Sequence, residues 1–265
     1  MSKIAPIALT IGEPGGIGPE LALKAWQRRT DDALSPFCVL TPIRILKQAI
    51  DQTGIDIPLV RLSDISETAT AFTSALPVLD IDDTNASIIP GTASPATAKI
   101  VIDSITRAVE LTRSGAASAV VTNPIQKSAL YTAGFKHPGH TEFLAELAGP
   151  GTVPVMMLAN AKLRVVPLTI HIALAEVPKQ LTAALIGTLC HITAKALQRD
   201  FGIMHPRLAV AGLNPHAGED GTMGIEEQTI MIPAIKKLRD EGLDVIGPLP
   251  ADTMFHEEAR AQYDV

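Results

Sequence analysis

The chain is poor in aromatic residues, which make up 3% of its 265 residues although 46% are hydrophobic. So few rings argue against a stacking surface for single-stranded nucleic acid. A basic excess is also missing. The formal net charge of -6 would repel a phosphate backbone, so nucleic acid is not an expected partner. Cysteine is scarce: Cys38 and Cys190 are the only two, far apart in sequence and unlike the disulfide framework of a small secreted domain. A reducing compartment is the simpler reading. No window approaches the roughly 20 apolar residues of a membrane span. Residues 1–6 carry no signal-like apolar run, so the expected location is the cytoplasm, with no membrane partner.

What is abundant is aliphatic. Ala, Val, Ile and Leu fill layered α/β interiors, and their order along the chain alternates strand with helix. An apolar run from Ile4 to Thr10 leads into a glycine-rich loop and a helix over 20–29. A strand over 37–40 precedes a helix over 43–53 closed by Gly54. Residues 63–97 read as surface connections with one strand near 78–81. Ser94-Pro95 then reads as an N-cap followed by proline at the first helical position, opening a helix that runs to Gly115. A buried strand over 119–122 follows. Two apolar strands, 155–158 and 163–170, are split by a turn at Ala159-Asn160-Ala161-Lys162. A helix with Leu185, Leu189, Ile192 and Ala196 on one face ends at Gly202, and a strand over 208–211 and a helix over 226–241 complete the pattern. Repeated β-then-α order predicts a largely parallel sheet between helices.

Open α/β sheets bind ligands beyond the carboxyl ends of their strands, so polar residues just after apolar runs carry the most functional weight. Gly12 to Glu20 forms a strand-to-helix loop whose backbone can approach an anion at the helix start. A tight turn that needs glycine for its dihedrals explains the same residues equally well. His171 and His216 each follow an apolar run, and two neutral imidazoles at strand ends suit a divalent metal. Singly, each histidine is more often a hydrogen-bonded loop or core residue. In Lys136-His137-Pro138-Gly139-His140-Thr141, Thr141 reads as a helix cap, or His140 and Thr141 as donors to a phosphorylated substrate. His137, His191, His205 and His256 read as structural or solvated. Asp252, in a proline-rich loop, is either an Asp-Thr turn or a carboxylate that orients a metal ligand or moves a proton. Lys127 is either a surface lysine or an anion contact.

Together these segments resemble the 4-hydroxythreonine-4-phosphate dehydrogenases, the PdxA family. The matching stretches are GEPGGIGPEL at 12–21, TNPIQK at 122–127, PGHTEFLAEL at 138–147, MML at 156–158, LRVVPLTIH at 163–171, GLNPHAGE at 212–219 and GPLPADT at 247–253. PGHTEF with GLNPHAGE is the specific pair; the glycine loop is shared with isocitrate and isopropylmalate dehydrogenases. The resemblance implies an isocitrate/isopropylmalate dehydrogenase-like α/β fold of two α/β/α domains with a cleft between them, divided here into 1–125 and 126–265. It also implies a homodimer with shared active sites, NAD or NADP as cofactor, and one divalent metal ion per subunit, zinc, cobalt or magnesium.

The implied reaction oxidises 4-phosphohydroxy-L-threonine at C3 and decarboxylates the product to 3-amino-2-oxopropyl phosphate, in pyridoxal 5'-phosphate (vitamin B6) biosynthesis. His171 and His216 match metal ligands, and His140 and Thr141 match substrate-binding positions. Asp252 and Lys127 fall in family motifs and are assigned catalytic roles; the cofactor-binding residues are unassigned. The family's third metal histidine, in a YHDQ-like motif, and further substrate and cofactor residues fall beyond Val265. The favoured reading is that the native protein is longer. The alternatives are a sister dehydrogenase acting on 4-phospho-D-threonate or 4-phospho-D-erythronate, and a truncated, non-catalytic metal- or phosphate-binding protein.

Overall fold

A computed structural model describes residues 5–265. Residues 1–4, which include the predicted strand start at Ile4 and most of the N-terminal run judged unlike a signal peptide, lie outside the described residues. The chain divides into two compact units, one ending at Pro154 and one running from Val155 to Val265.

The first unit is built on a five-stranded parallel sheet of order β3-β4-β2-β1-β5. Its elements are β1 (Ile7–Thr10), α1 (Gly18–Gln27), β2 (Phe37–Leu40), α2 (Ile43–Thr53), β3 (Leu59–Leu62), α3 (Thr68–Ala71), β4 (Leu76–Leu79), α4 (Ala98–Arg113), β5 (Ala119–Val121), α5 (Lys127–Thr132) and α6 (His140–Ala148). Both faces of the central strands are buried, as expected of a parallel sheet. Leu9 and Val39 pack on one side with Leu23, Trp26 and Leu46, and Ala8, Cys38 and Leu40 pack on the other with Ala108 and Leu111. Helix α2 ends in left-handed Gly54, and the Ser94 hydroxyl accepts from Ala96 N at the short 3-10 turn that leads into α4.

Three sequence expectations change in this unit. β5 is an edge strand, and Ala119 and Val121 are exposed rather than buried. Helix α6 starts at His140 with Gly139 as its N-cap and no capping side chain, so Thr141 lies inside the first turn and is not a cap. The contacts divide the chain after Pro154 rather than after residue 125. The reason is packing: Leu130 of α5 and Phe143 of α6 are buried against Ala98, Val101 and Ile105 of α4.

The second unit contains β6 (Leu158–Asn160), β7 (Leu163–Val165), α7 (Val177–Gln180), α8 (Ala183–Phe201), β8 (Arg207–Ala211), α9 (Ile232–Asp240), β9 (Asp244–Leu249) and α10 (Glu257–Arg260). β6 and β7 form an antiparallel hairpin. Its turn is tighter than expected because Asn160 stays in the strand and its side-chain oxygen accepts from Lys162 N and Leu163 N at 2.7 and 3.0 Å. β7 stops at Val165 rather than 170, two residues before Pro167, which has no N–H to give a ladder. β8 and β9 pair in parallel, and α8 and α9 cover them through Ile186, Cys190, Ala234, Ile235 and Leu238. A π-turn over Glu227–Met231 runs directly into α9.

Candidate functional site

In the first unit, parallel pairing of β1 with β5 sets Leu9 opposite Val121. The chain following each strand therefore emerges at the same end of the sheet. That brings the glycine loop against the start of the TNPIQK segment: Glu13 N donates to Pro124 O at 2.9 Å, and the Asn123 amide donates to Thr10 O at 2.9 Å. The loop is close-packed. A Cβ on Gly15 would lie 2.2 Å from Thr92 O, so that glycine is required by the fold whatever else the loop does. Beneath the loop, Glu13 is 5% exposed. Its Oε1 accepts from Thr97 Oγ1 at 3.1 Å and Gly15 N at 3.3 Å, while Oε2 is buried without a partner. Burial raises its carboxyl above the usual glutamate value, against the hydrogen bonds from Gly15, Thr97 and Ser94 that lower it.

Lys127 opens α5 and reaches the start of α6. A Cβ on Gly139 would lie 3.5 Å from Lys127 Nζ and 3.7 Å from Glu142 Oε2. His140 is half-buried and its Nε2 has no hydrogen-bond partner. Burial, and then the Lys127 charge, lowers its pKa below the ordinary histidine value, so its imidazole is neutral at pH 7. Lys127, His140 and Thr141 thus sit together as a cation, a neutral ring and a hydroxyl at one helix start, a set of donors suited to an anion.

In the second unit, the register Ala211 opposite Leu249 makes the segments after β8 and β9 leave the sheet side by side. This pairing brings His216 and Asp252 together, with Nδ1 to Oδ2 at 3.2 Å. The Asp252 carboxylate thus lies against the Nδ1 side of the His216 ring, and Nε2 is on the opposite edge. His216 opens a run of six residues with positive φ: His216 53°, Ala217 54°, Gly218 82°, Glu219 42°, Asp220 54° and Gly221 93°. Each non-glycine residue in that conformation costs roughly 1–2 kcal/mol, so the surrounding structure must hold the run in place. Next to the run, Glu227 is buried and accepts from Asn214 N at 2.7 Å and Asn214 Nδ2 at 2.9 Å. Burial raises its carboxyl, but these hydrogen bonds outweigh it and the net pKa is lowered.

His171 is exposed, with φ 58°, in a bend. It does not cap a strand, because β7 ends at Val165 within a hairpin. Of the other histidines, His137 packs between Phe135 and Phe143 and lies 3.5 Å from Glu146. His191 pairs with Glu241 at 2.8 Å, and His256 Nδ1 accepts from Ala259 N at the start of α10. An apolar cavity of about 310 Å³ between the 164–169 segment, α8 and β8 includes no histidine in its walls.

Sequence reasoning missed three parts of this geometry. β9 was hidden by Gly247-Pro248, which reads as a break. Gly247 is tolerated because its Cα faces Val210 O, where a Cβ would come within 2.4 Å. Glu13 and Glu227 were also overlooked. Glu227 carries a readable signal, since it falls in register with Met231, Ala234 and Leu238 on the apolar stripe of the following helix, where a charge needs a partner.

Among the described residues, no group of three or more His, Cys, Asp or Glu side chains is gathered to hold a metal ion. The donor chemistry of His171 and His216 nonetheless suits one. Both imidazoles are exposed, and a carboxylate lies 3.2 Å from Nδ1 of His216, on the side where metal-ligating histidines carry an orienting partner. Among the described residues, no helix is long and apolar enough to cross a membrane.

Comparison with known proteins finds the same family as the motifs. The family model described as pyridoxal phosphate biosynthetic protein PdxA matches residues 33–265. The chain is 49% identical to a 4-hydroxythreonine-4-phosphate dehydrogenase of Methylorubrum extorquens, across 98% of this chain and 76% of that protein. It is 50% identical to one of Bradyrhizobium diazoefficiens, across 98% and 78%. The crystal structure of a 4-hydroxythreonine-4-phosphate dehydrogenase from Klebsiella pneumoniae superposes with a TM-score of 0.88 at 32% identity, covering 98% of this chain and 79% of that one.

Proposed function

Because the chain belongs to the PdxA family of pyridoxal phosphate biosynthetic proteins, we propose that it is a dehydrogenase of 4-phosphohydroxy-L-threonine. The C3–H leaves as hydride and the C3 hydroxyl loses its proton. The resulting β-keto acid then loses its carboxylate as carbon dioxide, and protonation gives 3-amino-2-oxopropyl phosphate. The oxidant such a reaction requires is a nicotinamide dinucleotide, NAD or NADP, which would take up the hydride. A divalent ion, zinc, cobalt or magnesium, would supply positive charge for the oxygen that becomes anionic in both steps.

The chain's residues divide the remaining work. His171 and His216 would hold the metal, with Asp252 orienting the His216 ring from its Nδ1 side. His140 and Thr141 bind the substrate at the start of α6. A neutral His140 can donate one hydrogen bond to a phosphate oxygen without needing a proton from solution. Lys127 adds positive charge beside it and is the residue available to move a proton to or from the substrate. We further infer a cytoplasmic homodimer with shared active sites. Free Cys38 and Cys190 and the exposed Leu158, Ile172 and Leu174 support that reading.

The observation that carries the mechanism is the His216–Asp252 pair at the paired ends of β8 and β9. Nicotinamide reduction with 4-phosphohydroxy-L-threonine and added divalent metal tests it, alongside 4-phospho-D-threonate as competitor. Turnover should require the metal and favour the amino-acid phosphate. H171A and H216A should lose both bound metal and turnover while remaining folded; retained metal in both would remove the assignment.

A further inference from the structure

Glu227 is 1% exposed and lies on the face that α9 turns to the core. An ionised carboxylate there is costly unless fully hydrogen-bonded. All of its side-chain partners come from one place. Oε1 accepts from Asn214 N at 2.7 Å and Oε2 from Asn214 Nδ2 at 2.9 Å, and the same amide reaches Glu226 Oε2 at 2.8 Å. The carboxylate also fills the space between the two limbs of the loop: a Cβ on Gly212 would lie 3.4 Å from Oε1, and one on Gly218 2.8 Å from Oε2. Glu227 is therefore bonded to the loop before the left-handed run, at Asn214, and packs closely beside the run itself, at Gly218. His216 lies between those two points.

We propose that Glu227 is a positioning residue for His216, holding the left-handed path from which that imidazole projects while touching neither metal nor substrate. This rests on His216 being a metal ligand, as argued above. An alternative role, filling the core under α9, would require only the shape of the side chain, which glutamine retains. Holding Asn214 requires the charge and two acceptors, which glutamine does not supply.

The test is E227Q in the full chain, read by titration with Zn²⁺ or Co²⁺ alone and by amide hydrogen exchange across residues 212–221. Metal affinity should fall at least about tenfold, the scale of losses on removing outer-shell support, and exchange in the loop should accelerate while α8 and α9 stay protected. A217G should then restore part of the affinity in the E227Q background, because glycine adopts the φ of 54° without strain. Wild-type metal affinity and loop exchange in folded E227Q would overturn the proposal, as would an A217G change that recovers nothing. If E227Q does not fold, N214A removes the amide donor alone and should show a smaller loss with the same rescue; no loss overturns the idea. H216A, titrated in parallel, separates the two levels. Loss of metal in H216A but not in E227Q refutes only the role of Glu227, whereas wild-type binding by H216A refutes the ligand assignment itself.

Discussion

Replacing Asp252 with alanine should separate function from stability. The His216–Asp252 contact is 3.2 Å long, but the two side chains are 57% and 52% exposed. An exposed pair of this kind contributes about 0–1 kcal/mol to folding, since water screens the attraction and the pair loses side-chain freedom. D252A should therefore unfold within about 1 kcal/mol of the parent in urea. The effect on metal should be larger. Without the carboxylate beside Nδ1, the His216 ring is freer to rotate, and losses of about 10–100-fold in metal affinity are typical for such partners, or roughly 1.4–2.7 kcal/mol. Calorimetric titration with Zn²⁺ measures the affinity, and kcat/KM at rising metal concentration should recover in part as the ion is forced on. D252N, which keeps one acceptor oxygen, should fall between parent and D252A. Equal metal affinity in D252A and parent would refute the orienting role. A loss of more than about 2 kcal/mol in stability would show that the pair is structural instead.

Three further perturbations probe the first unit. K127M removes the second cause of the low His140 pKa and leaves the larger one, burial, so NMR titration should move the His140 midpoint up but not to its ordinary value; no movement would mean that the ammonium does not act on His140. E13Q should abolish a pH dependence of stability. Because the folded pKa of Glu13 is raised above the unfolded one, its favourable contribution is complete below the usual 4.5 and is lost as pH rises through the folded value. Denaturant melts should show E13Q gaining on the parent as pH rises from acid to neutral, and a constant difference would count against a buried carboxyl. S104A deletes a hydroxyl that accepts from Ile11 N at 3.1 Å and donates to Leu40 O at 2.7 Å. It should cost about 1–3 kcal/mol for the stranded N–H, measured by urea unfolding.

The parts of the fold legible in the sequence are those whose signal is local. The helix over Ile43–Thr53 ends where Gly54 offers a left-handed cap, and β2 at Phe37–Leu40 is a short apolar run between turns. What the sequence concealed depends on distant groups. Val121 has the apolar character of a buried strand, yet its sheet position leaves it exposed at an edge. Residues 126–148 carry nothing local that assigns them to a unit; Leu130 and Phe143 reveal it only by packing on α4.

The candidate site divides in the same way. His171 and His216 could be singled out because each follows an apolar run, but the premise fails at His171, whose strand ends at Val165. At His216 the sequence offered Asp252 as an orienting carboxylate without saying which ligand it would orient. The answer depends on β9, and β9 was invisible because Gly247 and Pro248 are poor strand formers taken alone. Gly247 becomes compatible with a strand only opposite the Val210 carbonyl, at the irregularity between Ala209 and Ala211. The parallel pairing then carries residues 212–216 and 250–252 out at one end of the sheet. A residue unfavourable by local propensity is thus the condition for the His216–Asp252 contact, and substitutions at Gly247 should act on the proposed metal site through strand pairing, without touching either histidine.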